Sequence, residues 1–563
     1  MDRNTQERFA LNPVNIDIQR SRFDATPEVK TTFNLGDIIP LGMPIEILPG
    51  DTIQIDTSMA IRMQPLVSCP YDNIHFDLYY FFVPNRLVWQ HWREFMGENS
   101  LSPWIPTVTY VEPQLTFNGG VAPKSIGDYM GLPVGLSSGK YIHVSALPFR
   151  GFVQIYNDWF RDENLCQFLN LSIDDTDRTG MISTSTNYSN PIISAELGGH
   201  LFKAAKTRDY FTSALPGPQK GSDVMVFDHL PVYFDTARRN VDVVNDHGLT
   251  TNIMIRKDPN DQQYHDTAVG QVNNTSGSGV QGYAAVDSKW QPANWYVDGS
   301  LSINQLRLAF QVQKLYERDA RGGSRYIEQL KSHFGVTAPD ASLQRSQYLG
   351  GSRVSINLNQ ILQTSETGST PQGNVAGYSL TSDYEENHVV QSFTEHGRLF
   401  AIGVARIDQH TYQQGIHRSW TRRNRLDYYY PVLANIGEQP ILNRELFAAG
   451  IASTSDNDTI SEVDNQVFGY QEAWAEYRYM PSIVTGEMRS NVTNSLDSWH
   501  FADDYATRPS LSQSWIEEDL SNVDRALAVQ SSVADQFFGD FRFHITMTRP
   551  MPLYSIPGLI DHN

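Results

Sequence analysis

The sequence predicts a mainly β protein: one β-domain interrupted by long loop and helical insertions. Three observations carry that prediction. Residues 53–63 place Ile53, Ile55, Thr57, Met59, Ile61 and Met63 on one face and Gln54, Asp56, Ser58 and Arg62 on the other. That is the period of two expected of a strand with one buried face. Near the C-terminus Phe541, Phe543, Ile545 and Met547 alternate with Arg542, His544, Thr546 and Thr548 in the same way. The helical patterns are gathered between these strands, whereas an α/β fold would interleave the two evenly. First and last strands in one sheet imply one domain with excursions.

Taken in order, residues 1 to about 50 contain Pro13, Pro27, Pro40, Pro44 and Pro49 and little helical period. They read as an extended arm lying on something larger. After the strand at 53–63, HFDLYYFFVP (75–84) is apolar on both faces, as for a strand buried inside a sandwich or barrel. NRLVWQHWREFMG (85–97) reads as a short helix ending at Gly97, and RGFVQIYNDWFRDENL (150–165) as a second. Residues 302–334 carry the strongest helical signal. Ser302 and Gln305 form a capping box, and Ile303, Leu306 and Phe310 make an apolar stripe. A break at Arg321-Gly322-Gly323 is followed by Ile327, Leu330 and Phe334 at the same spacing. RLFAIGVARI (398–407) is another strand. The polar stretches 174–200, 220–298 and 364–377 look like neither strand nor helix, and loops that long are usually functional or mobile.

The 563 residues allow a large core, and 40% hydrophobic content excludes a disordered chain. Length alone suggests three or four domains, but one β-domain with insertions fits equally. The net charge of −20 means that this chain cannot coat nucleic acid over its whole surface, because phosphate binding runs on Lys and Arg. Two cysteines, Cys69 and Cys166, are too few for a disulfide framework or a multi-Cys zinc site, which points to a reducing cytoplasm. The first twenty residues have no apolar signal region, and no run of eighteen apolar residues occurs. The N-x-S/T sequons then follow from composition alone.

Several motifs invite a sharper reading. Gly277, Gly279 and Gly282, just after Asn273, spell G-x-G-x-x-G. A dinucleotide cradle needs a strand before that pattern and a helix after it, and the flanks here are polar. The pattern reads as a flexible loop. Asp175, Asp177, Thr179 and Gly180 resemble the start of an EF-hand loop, but position twelve is Thr186 where Glu is required. No H-E-x-x-H and no G-x-S-x-G occurs. No metal or cofactor is expected, and no catalytic residue is assigned. HRSWTRRNRLDYYYP (417–431) sets Arg418, Arg422, Arg423 and Arg425 beside Trp420 and Tyr428–Tyr430. Arginine with aromatic rings suits single-stranded DNA, and equally suits a subunit interface. Residues 497–540 hold nine acids and two bases, Arg508 and Arg525, which suits solvent or a basic partner.

Longer blocks add a resemblance. FALNPVNIDIQRSRFD, FFVPNRLVWQHWREFMG, LPFRGFVQIYNDWFRDENL, INQLRLAFQVQKLYERDARGGSRYIEQLKSHFGV, YPVLANIGEQPILNRELFA and QEAWAEYRYMPSIVTGEMRS run from near residue 9 to about 490. Together they resemble the major capsid protein of microviruses, most nearly the gokushovirus type of small single-stranded-DNA bacteriophage. The resemblance implies an eight-stranded antiparallel jelly roll with insertions, forming a single domain from residue 51 onward. It implies self-assembly into a T=1 icosahedral shell around circular single-stranded DNA, made in the cytoplasm of a bacterial host and found in the virion. It also implies a small basic DNA-binding protein, an internal scaffolding protein, a pilot or minor capsid protein and a host receptor as partners. In such shells a long insertion forms threefold protrusions, and 220–298 (with Asn273, Gly277, Gly279 and Gly282) is the segment that fits. Two other readings compete with this one. A surface adhesin or sugar-binding module suits the aromatic content but calls for an export signal. A glycosidase needs a carboxylate pair that nothing in the linear sequence marks.

Overall fold

The computed structural model describes residues 19–98, 108–181, 195–221 and 303–554, with breaks at 324, 358–359, 363, 365–374, 379–380 and 451–461, together with short strands between 232 and 297. The chain divides into two compact units, Met1–Lys220 with Glu317–Asn563, and Gly221–Tyr316.

The first unit is built on eight principal strands: β1 (Glu28–Phe33), β2 (Asp37–Pro40), β3 (Thr52–Met63), β4 (Ile74–Pro84), β5 (Gln347–Ile356), β6 (Thr381–Ser392), β7 (Gly397–Ile407) and β8 (Phe537–Arg549). They form two antiparallel sheets. One runs in the order β1–β8–β3–β6, with Ser21–Ala25 also paired to β8. The other runs β2–β7–β4–β5, with Ile45–Ile47 also on β7 and Phe202–Lys203 outside β2.

Period-two alternation sets which side chains meet between the sheets. On β3, Ile53, Ile55, Thr57, Met59 and Ile61 are buried, and on β8 so are Phe537, Phe541, Phe543 and Ile545. They pack on Phe76, Leu78, Tyr80, Leu399 and Ile407 of the facing sheet. Phe33 lies between both sheets, its ring 5.4 Å from Phe76 and 5.4 Å from Phe537. Each such ring removed from water contributes about 1.5–3 kcal/mol.

Strand β4 is apolar on both faces because it separates two cores. Its other face presents Phe81 and Val83, which with Phe400, Ile402 and Val404 of β7 pack under helix α1 (Leu147–Ile155). Gly151 lets the helix sit that close: a Cβ there would lie 2.8 Å from the Phe400 ring. Arg150 of α1 is buried and donates to the carbonyls of Val88 (3.2 Å) and Asp174 (2.9 Å), satisfying its charge. Farther along this outer face Asp77 is buried and accepts from Arg353 (2.7 Å) and Tyr79 (3.0 Å). Burial alone would raise its pKa. His75, Arg353 and Arg406 overcome that and hold it down at about 2.

Several expectations need correction. Strands occupy Ser21–Ile47, so the extended arm does not reach residue 50. The prolines that suggested an arm lie at strand ends: Pro27 precedes β1 and Pro40 closes β2. The helix expected over 85–97 is two single turns, Asn85–Val88 and Trp92–Phe95, because Trp89 between them is extended and donates its indole N–H to Asp175. The helix expected over 150–165 begins at Leu147 and ends in a widened turn, Tyr156–Phe160. Helix α2 (Ile303–Gly322) and the turns Tyr326–Phe334 match the two predicted helices, but Phe310 and Phe334 of their apolar stripes are exposed. The proposed cap at Ser302 lies outside the described residues. The segment 220–298, expected to lack regular structure, holds two small antiparallel sheets. Val232–Phe234 pairs with Trp295–Val297, and Val241–Val244, Thr250–Met254, Gly270–Val272 and Tyr283–Ala284 form a second ladder. Short β-branched runs such as VDVV and TTNIM are strand formers that the surrounding Asn, Asp and Gly obscured.

Candidate functional site

Between β7 and β8 the chain contributes Ile441, Leu446, Phe468 and Trp515 to a third hydrophobic cluster, which Tyr210 and Phe211 from an earlier segment complete. A buried charge network pins this region from below. Lys206 and His410 both face Asp503 at 3.4 Å, and His410 also faces Glu518 at 3.3 Å. Burial opposes charge on His410, yet Glu518 and Asp503 outweigh it and push its pKa up to about 10.

On this base sits the arginine–aromatic segment. It runs through single helical turns at Arg418–Trp420, Arg425–Asp427 and Pro431–Leu433 and enters the hairpin of Glu438–Leu442 with Val467–Glu472. The four sequence-predicted arginines fall into two pairs. Arg418 donates to the Pro440 carbonyl (2.9 Å) and lies 3.7 Å from the Glu445 carboxylate. Glu445 is itself buried, with its pKa raised by that burial. Arg422 pairs with Glu476 at 3.4 Å, bonds the Tyr477 hydroxyl, and holds its guanidinium 4.2 Å from the Tyr477 ring and 5.3 Å from that of Tyr428. Both side chains are largely covered, Arg422 being only 8% exposed. Arg423 and Arg425 lie on the surface, and Arg425 donates to the Tyr430 hydroxyl at 3.1 Å. Asp427 accepts the backbone N–H groups of Arg423 and Asn424, each at 2.7 Å, and those bonds lower its pKa.

Three acids that sequence reasoning passed over, Asp427, Glu445 and Glu476, therefore compensate the basic cluster. Asp427 stood inside the motif itself. The other two lie 27 and 54 positions beyond Arg418 and Arg422, and only the hairpin brings them near. A second clamp fixes the rings. Trp474 adopts a left-handed backbone (φ 68°), a conformation costing on the order of 1 kcal/mol. Hydrogen bonds to the Leu433 carbonyl (3.0 Å) and from its own N–H to Gln439 (3.1 Å) hold it there. What emerges is an exposed apolar surface: Trp420, Tyr428, Val432 and Met480 lie largely bare.

The remaining motifs resolve as architecture or fall outside view. Asp175 accepts from Trp89 at 2.6 Å and faces His91 at 2.8 Å, Asp177 caps the Gln114 N–H at 2.8 Å, and a Cβ on Gly180 would strike Phe117. These residues are committed to packing rather than to calcium. Asn273, Gly277, Gly279 and Gly282 lie outside the described residues. No group of three or more His, Cys, Asp or Glu able to hold a metal occurs among the described residues.

Comparison with known proteins gives this geometry its setting. Residues 13–559 match the phage capsid protein (F protein) family. The capsid protein VP1 of Spiroplasma virus 4 is 38% identical over 553 residues, covering 96% of both chains. Capsid protein VP1 of Chlamydia phage 1 is 37% identical over 98% of each chain, and that of Bdellovibrio phage phiMH2K 37% identical over 99% of this chain and 98% of its own. A surface of compensated arginines and bare rings suits such a protein, and the match over nearly the whole chain decides the matter: this chain belongs to the phage capsid protein family of the microviruses and, like these relatives, is a structural protein and not an enzyme.

Proposed function

We propose that the chain assembles into a closed T=1 icosahedral shell around a circular single-stranded DNA genome. The observation that supports this most directly is the strand order. Numbered along the chain, β1–β8–β3–β6 stacked on β2–β7–β4–β5 supports reading the two antiparallel sheets as an eight-stranded jelly roll of the viral capsid type. Insertions between strands leave that frame intact while supplying the contacts a shell needs. Electron microscopy of particles purified from infected cells tests the reading: small isometric particles of uniform size are expected. A soluble monomer that persists beside its co-expressed viral partners would overturn it.

The same proposal assigns the other roles. A chain of net charge −20 leaves most genome neutralisation to a small basic viral protein. A scaffolding protein, a pilot protein and assembly in the bacterial cytoplasm complete the reading. The insertion 220–298 (with Asn273, Gly277, Gly279 and Gly282) meets the host receptor. It forms its own compact unit, Gly221–Tyr316, so it can change without disturbing the sheets. Shortening residues 240–290 should leave shell assembly intact and reduce host attachment. Lost assembly with a folded subunit would overturn that assignment.

A further inference from the structure

We propose that the aromatic face formed by residues 416–436 and 474–483 is a contact with a second copy of this chain; the inference rests on the shell reading above and names the surface it uses. Area is the first argument. Trp420, Tyr428, Tyr429, Tyr430 and Tyr477 are 84, 52, 44, 36 and 51% exposed. An aromatic side chain carries about 150–250 Å², so these five rings leave roughly 500 Å² bare. Leu426, Val432, Ile436, Met480 and Ile483 are exposed in addition. Rings alone match the ~300–600 Å² of the largest patch on an ordinary monomer, and the aliphatic side chains carry the face toward the ~800 Å² that each partner gives to a stable interface.

Charge is the second argument, and it separates protein from DNA. A single-strand binding groove offers free cations to phosphates. Here Arg418 and Arg422 face the buried carboxylates of Glu445 and Glu476, and Asp427, two positions after Arg425, accepts the backbone N–H of Arg423. The four arginines therefore meet three carboxylates, so a single positive charge is left over for a phosphate backbone. Composition is the third argument. Protein interfaces are enriched in Tyr, Trp and Arg and depleted in Lys, and no lysine follows Lys331 anywhere in the sequence. Finally, the rings are held before any partner arrives. Arg422 lies against Tyr428 and Tyr477, the Tyr429 N–H donates to the Tyr477 hydroxyl (3.2 Å), and Trp474 is clamped to Leu433. Pre-ordering lowers the entropic cost of association.

A thiol at the most exposed position tests this. Val432 is 93% exposed, so Val432→Cys should fold like the parent, whose buried Cys166 and half-buried Cys69 set the background. Full-length Val432→Cys, co-expressed with the other viral proteins, is labelled with a maleimide as assembled particles and as released subunits. Labelling at least tenfold slower in shells, DNA-free shells included, is expected. Equal rates overturn the proposal, and protection confined to DNA-filled particles assigns the face to the genome. A companion variant, Trp420→Ala with Val432→Asp, should lower shell yield at least tenfold while the subunit keeps its melting temperature; full yield would count against the contact. Shell formation by the parent is scored separately by microscopy, and its failure would remove the shell reading and this inference together.

Discussion

Two apolar surfaces of this protein invite comparison. The outer face of the β2–β7–β4–β5 sheet carries Phe81, Val83, Phe400 and Ile402, and the chain covers it with its own helix α1. The face around Trp420 and Tyr428 is richer still in rings, and among the described residues nothing covers it. One surface is finished by folding; the other waits for association. Aromatic content therefore does not separate core from contact in this chain. What separates them is whether a segment such as LPFRGFVQI lies close enough to serve as a lid, with a glycine where backbone and ring must approach.

The largest expected effect would break that comparison outright if it failed. Phe152→Ala under the covered face should cost the released subunit about 3–5 kcal/mol in denaturant unfolding, whereas Trp420→Ala should stay within ~0.5 kcal/mol. Similar losses at both would mean that the second face is also covered in the free subunit.

A smaller effect sharpens the covered side. Asp77 has its folded pKa held at about 2, below the ~3.9 of an unfolded aspartate. A depressed carboxyl stabilises above its unfolded pKa and stops doing so as pH falls through the folded one. The contribution, about 2 kcal/mol, should be whole above pH ~5 and decline between pH ~4 and ~2. Urea midpoints against pH check this: Asp77→Asn should lose stability at neutral pH and converge with the parent near pH 2. Parallel curves would place the acid sensitivity elsewhere.

The smallest effect concerns the bare side. Arg423→Ala and Arg425→Ala remove surface cations and should each change stability by less than ~0.5 kcal/mol. Arg422→Ala should cost about 1–3 kcal/mol, because it strips the buried Glu476 of its partner. Thermal melts of the three variants would reveal equal losses if the two pairs of arginines were alike.

Much of the frame was legible in the residues. Ile53–Met63 and Phe541–Met547 announce strands because burying one face imposes a period of two, and HFDLYYFFVP lacks that period because β4 lies between two cores. Residues 21–47 were not legible, since the strand that pairs with β1 lies some 500 positions away and the prolines at the strand ends imitate an arm. At the candidate site the arginines and rings were visible as a cluster, but their compensation was not. Glu445 and Glu476 reach Arg418 and Arg422 only through the hairpin that follows, and no linear spacing marks that pairing.

The place of β8 in its sheet has a consequence in time. It is the last principal strand to be made, yet it lies between β1 and β3, among the first, and the Asn34 side chain accepts from the Gln536 N–H across the same seam. At about 5–20 residues per second, a ribosome needs on the order of half a minute or more between β1 and β8. Throughout that interval Phe33 and the inner face of β3 lack their partner. Premature termination thus yields a chain with an open sheet, which a chaperone or protease can recognise. Completion of this sheet therefore depends on translation running through to β8.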